Sequence, residues 1–124
     1  MSTINPTIES ARLAAEAVRE INHRTINPGA FNWPSEAYDT IGELARLLHR
    51  LPQALEQIAV YLLAEHKAGR VVADWGSYAG GTEAAINDAV AALEQARHWV
   101  EKSAGELDLA HNATAGLSAA KAEA

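Results

Sequence analysis

The chain has 124 residues, no cysteine and a formal charge of −6. That length supports one domain with one core, and the missing thiols exclude disulfides and thiolate-bound metals. An acidic surface disfavours sequence-independent binding to phosphate backbones, so no nucleic-acid partner is expected. Apolar residues make up 48% of the chain but aromatic ones only 6%. Alanine supplies much of that apolar share, and it loses no side-chain entropy on winding into a helix, so an all-α fold is expected. The negative charge gathers toward the C-terminus: residues 1–35 balance, 36–82 carry −2 and 83–124 carry −4. The longest apolar run, Ile58 to Ala64, is too short to span a bilayer. No basic stretch followed by an apolar core opens the chain, so no secretory signal is expected and the cytoplasm is the expected compartment.

The first predicted helix covers about 6–24. Asn5 suits its N-cap and Pro6 its first turn. Ile8, Ala11, Ala15, Val18 and Ile21 form its apolar stripe, with Arg12–Glu16 and Glu20–Arg24 as i,i+4 pairs on the wet side. Asn27-Pro28-Gly29 reads as a turn, and Phe31 and Trp33 are expected to lie along the bundle.

The second predicted helix covers 35–68, opened by Ser35 as N-cap and closed at Gly69. Ile41, Leu44, Leu48, Leu51, Leu55, Ile58 and Leu62 recur in steps of three and four, the spacing of a heptad seam. Pro52 interrupts the hydrogen-bond ladder. The heptad phase nevertheless runs on unchanged past it, which favours a kink over a break.

Residues 70–81 form a long connection whose Val71, Val72, Trp75 and Tyr78 are expected to plug the bundle end. The third predicted helix runs 82–117, with Ile86, Leu93, Val100 and Leu107 seven apart. Ala89, Ala96, Ser103 and Ala110 flank that seam and allow a close antiparallel approach. A helix of that length measures on the order of 50 Å, whereas a compact domain of this size is about 35 Å across. Either the molecule is elongated or the helix bends near Ser103–Gly105. A flexible tail is expected over 118–124.

Reactive chemistry finds little footing. Gly76-Ser-Tyr-Ala-Gly-Gly81 resembles the outline of a phosphate-binding loop, but Thr82 and Glu83 stand where lysine and a magnesium-binding hydroxyl belong. Ordinary turn chemistry is the better reading. Glu20 with His23 and Asp108 with His111 each share a helix face, as do Glu94 and His98, but no inward Glu completes a di-metal set. These read as surface pairs, and His66, flanking its seam, as a packed residue. No serine sits in a nucleophile elbow, and no histidine has an arginine at the upstream spacing of small helical ribonucleases. No catalytic, cofactor-binding or metal-binding residue is therefore assigned.

Trp99 lies beside the third helix's seam, where a hairpin leaves it half exposed unless Trp33, Tyr38 or Tyr61 covers it; uncovered, it marks an interface. Glu94, Glu101 and Asp108 form an acidic stripe, either a solvated face or a surface steering a basic partner. The candidate interface residues are Trp99, Tyr61, Trp75, Glu94, Glu101 and Asp108.

Two resemblances accompany this reading. Trp33-Pro-Ser-Glu-Ala-Tyr38, Arg50-Leu-Pro-Gln-Ala-Leu55, Ala68-Gly-Arg-Val71 and His111-Asn-Ala-Thr-Ala-Gly-Leu117 resemble a group of small, uncharacterised all-helical actinobacterial proteins. The resemblance covers most of the chain and implies a helical fold. The order long helix, Trp75-Gly76, long helix is similar to the WXG100 class of type VII secretion substrates, which implies a helical hairpin that dimerises. Trp75-Gly76 lacks that class's intervening residue, and the one match to its Tyr-x-x-x-Asp/Glu export signal, Tyr61 to Glu65, falls inside the first hairpin helix. Export is not implied.

The expectation is an all-α, elongated antiparallel bundle, an N-terminal helix plus a long helical hairpin, completed by dimerisation. Its expected role is a non-enzymatic interaction or scaffolding protein that forms homo-oligomers. The alternative is an acidic accessory regulator that binds and sequesters a basic protein partner.

Overall fold

Proline opens two of the three helices in the computed structural model, which describes residues 3–121. Helix α1 spans Pro6–Thr25, α2 spans Pro34–Lys67 and α3 spans Thr82–Thr114. Pro28–Ala30 forms a single 3₁₀ turn between α1 and α2, and no strand occurs among the described residues. Of the expected tail, 118–121 carry no regular structure, and 122–124 lie outside the described residues.

Each helix end has a local cause. The Asn5 side chain accepts the N–H of Thr7 at 2.8 Å, as its position predicts. Along α1, Arg12 pairs with Glu9 instead of Glu16, and Glu16 turns to Arg19 at 3.7 Å; only Glu20–Arg24, at 3.1 Å, follows the expected spacing. Helix α2 begins at Pro34, a residue before the expected Ser35 cap, because proline's fixed φ suits the first helical position. Its opening is secured from within: Glu36 Oε1 accepts the N–H of Asn32 at 2.7 Å and of Trp33 at 2.9 Å. The helix then continues through Pro52 as one element.

The far end of α2 closes on a Schellman motif. Gly69 takes φ 71°, Arg70 N–H donates to the Glu65 carbonyl at 2.9 Å and Gly69 N–H to that of His66 at 3.0 Å. The Arg70 guanidinium also grips the Glu65 carboxylate at 3.0 Å. That hydrogen bond holds the carboxyl below its ordinary range.

The connection does not plug the bundle end as expected. Val72 and Trp75 are 69% and 84% exposed, and only Val71, Ala73 and Gly81 are partly covered. The loop instead satisfies its own polar groups. Ala73 N–H donates to Thr82 Oγ1 at 3.0 Å, and the Tyr78 hydroxyl donates to Asp88 at 2.5 Å. Helix α3 stops at Thr114, three residues before the expected end, where the Thr114 hydroxyl donates back to the Ala110 carbonyl at 2.9 Å.

Helices α2 and α3 pack as an antiparallel hairpin. Its buried residues are small: Ala45, Ala59 and Ala104, with Ile86 the one large side chain among them. Of the expected leucine seam, Ile41, Leu48, Leu55 and Leu62 stay half-buried on the contact face, but the most buried positions of that face are Ala45 and Ala59. Ala45 and Ala59 face α3, while Ile58 remains 48% exposed and Leu44 and Leu51 line clefts toward α1. Small side chains win the seam because they let the two backbones close up, and close backbones are what helix packing rewards.

Helix α1 does not join that packing. No Cα of α1 comes within 8 Å of α2 or α3, and none of its residues is buried. A three-helix bundle was the expectation; the structure holds a two-helix hairpin with a loosely attached third helix. The stripe of α1 has only three branched side chains, and Ile8 is 67% exposed. The total accessible surface is 9764 Å², whereas a compact chain of 13.2 kDa exposes about 6,400 Å².

Candidate interaction surface

The hairpin has two flanks, and the cross-helix contacts define the first. His49 Nε2 lies 2.7 Å from Asp108 Oδ2, and Arg97 lies 3.7 Å from Glu56. Helical periodicity puts Gly42, His49 and Glu56 of α2 on this side, opposite Glu94, Glu101 and Asp108 of α3. The expected acidic stripe is therefore real as a row, but two of its three carboxylates already have side-chain partners. Asp108 is taken by His49, and Glu94 sits 3.5 Å from Arg97. Glu101 alone of the three has no polar side-chain partner among the described residues.

A stacked pair ends this flank. The rings of Tyr38 and His111 lie 4.0 Å apart and 9° from parallel. Gly42 makes room for them: a Cβ there would stand 2.7 Å from His111 Nε2. The sequence left one trace of this arrangement, a glycine in a helix interior, where it costs about 1 kcal/mol against alanine unless another group needs the space. The expected Asp108–His111 partnership does not form; each residue turns to α2 instead.

The second flank is apolar. By the same periodicity Leu44, Leu51 and Ile58 line its α2 side and Ala96, Ser103 and Ala110 its α3 side, with Tyr61 and Trp99 farther out. Trp99 is 59% exposed and Tyr61 61%. None of the expected aromatic covers reaches Trp99. Tyr38 is stacked on His111, and the nearest aromatic and cationic neighbours of Trp99 are its own helix mates, His98 edge-on at 5.4 Å and the Lys102 ammonium at 5.5 Å. Trp75 is exposed too, but in the connection and not on this flank. Candidate residues that the sequence grouped together thus fall on three surfaces: Tyr61 and Trp99 on one flank, Glu94, Glu101 and Asp108 on the other, Trp75 in the loop.

No match to this chain is found among protein-family models, curated proteins or solved structures. The geometry has to speak alone. Among the described residues no three His, Cys, Asp or Glu side chains converge as a metal site, and no helix is long and apolar enough to cross a membrane. His23 sits on α1 and His111 on α3, two helices that do not approach each other. In the glycine-rich loop, Gly76 and Gly80 take φ 84° and 80°, and Gly80 N–H donates to the Ala73 carbonyl at 2.9 Å. Those glycines serve the turn, and Thr82 caps the loop with its hydroxyl.

The titration of Tyr78 is displaced. Its hydrogen bond to the Asp88 carboxylate, followed by that group's charge, raises the phenol above its ordinary value. This tether holds the loop next to α3.

Proposed function

We propose that the chain is a non-enzymatic helical interaction protein that assembles with itself through the apolar flank of its hairpin. One observation carries the reading: large apolar side chains stand in water along a continuous face, Ile58 at 48%, Tyr61 at 61% and Trp99 at 59% exposure. Monomers rarely keep such a face open, since apolar area left in water forfeits roughly 25 cal/mol per Å². The accessible surface, about half again that of a compact chain this size, supports the same reading.

Sedimentation at a low and a high protein concentration tests it. Mass should rise with concentration, and melting temperature with it, by mass action. Trp99→Ala should weaken association by about 2 kcal/mol, or roughly thirtyfold, as the loss of an aromatic anchor does. A monomer at every concentration would remove the proposal.

The alternative, sequestration of a basic partner by the acidic flank, has weaker support. Such a partner would have to displace Arg97 from Glu94 and His49 from Asp108 before using either carboxylate.

A further inference from the structure

Helix α1 rests on α2 without being packed into it. Ile21 shares an open cleft of about 390 Å³ with Leu44 and Leu47, and Ala14 one of about 460 Å³ with Leu51 and Ala54. No Cα of α1 comes within 8 Å of α2, and close approach is what lets side chains interdigitate to the crystal-like density of an interior. Nothing polar fastens the helix either. Among the described residues every ion pair and side-chain hydrogen bond of α1 stays within Asn5–Thr25. What lies beneath belongs to one stripe: Leu44, Leu47, Leu51 and Ala54 continue at heptad spacing into the open Ile58 and Tyr61.

We propose that α1 is a displaceable cover and that the hairpin of a second copy takes its place, pairing along the whole stripe to form a four-helix bundle. This rests on the self-association proposed above and names the surface it uses. Area favours it. The flank is about 50 Å long and, at two helix diameters, about 20 Å wide, on the order of 1,000 Å². A standard interface takes about 800 Å² from each partner. Past Ala54, the last α2 residue to line a cleft with α1, about 20 Å of that length remains, less than half the face and too little for a stable pair. A second hairpin also presents the same heptad of aliphatic residues, which a two-fold axis makes self-complementary.

Hydrogen exchange on the full chain at concentrations spanning the mass transition tests the exchange of α1 for a partner. As the dimer forms, amides of α1 should lose protection while those of α2 from Leu44 to Tyr61 gain it. Ile21→Ser loosens the cover, so it should lower the concentration at which half the chains are dimeric by about fivefold. Ile58→Glu should abolish the dimer, with circular dichroism showing the hairpin still helical. A dimer in which α1 keeps or gains protection overturns the cover and leaves self-association standing. So does an Ile21→Ser chain that dimerises no more readily than the natural one. A natural chain that stays monomeric throughout overturns both proposals.

Discussion

The seam between α2 and α3 and the contact between α1 and α2 are built from similar apolar periodicities, yet only the first is packed. At the seam, alanines admit close backbones, Gly42 seats the His111 ring, and Ala104 is left 1% exposed. At the α1 contact no Cα of α1 comes within 8 Å of α2, and Ile8 is left 67% exposed. Periodicity alone therefore marks a face as apolar without saying how tightly it is held. The closeness of the two backbones decides that, because dispersion and exclusion of water both fall away across a gap.

The sharpest way to break this contrast is to enlarge the seam. Ala104→Leu forces three more heavy atoms between the helices and should cost about 2–3 kcal/mol, read as a lower urea midpoint. Should the loss be negligible, the seam is no tighter than the α1 contact. A smaller effect should appear at Gly42. Gly42→Ala alone gains helix propensity but pushes His111 off Tyr38, so stability should barely move. In a His111→Ala background the same change should stabilise by about 1 kcal/mol. Equal effects in both backgrounds would deny that the glycine exists to seat His111.

Acid sharpens the comparison at the hairpin's end. Because the Glu65 carboxyl is held low by Arg70, its contribution is complete above the ordinary carboxylate value of about 4.3. It fades as pH falls through the lower folded value. Arg70→Ala should return the Glu65 titration, followed by carboxyl carbon NMR, to the ordinary range; an unmoved curve would deny the pairing. The smallest effect is expected in α1. Leu13 is 54% exposed, so Leu13→Glu should change monomer stability by less than about 0.5 kcal/mol. A loss comparable to that of Ala104→Leu would show α1 to be part of the core.

The contents of the chain in α-helix were legible from residues alone, because caps, prolines and heptad spacing act within a few residues of one another. Asn5, Pro6 and Gly69 punctuate the helices as their local chemistry requires, and α2 and α3 end within three residues of expectation. Exposure at Trp99 was legible too, since it lies beside its helix's seam. What the sequence could not convey was which of several apolar lines would meet. Every leucine of α2 is equally greasy, and only the approach of α3 chose Ala45 and Ala59 over Leu44 and Ile58. That approach also paired His49 with Asp108, which are 59 residues apart, and placed His111 against Gly42. Hydrophobic pattern is a property of one segment, whereas packing depends on the shapes of two. The chain dictated its helices, and the fit between them determined which surface was left bare.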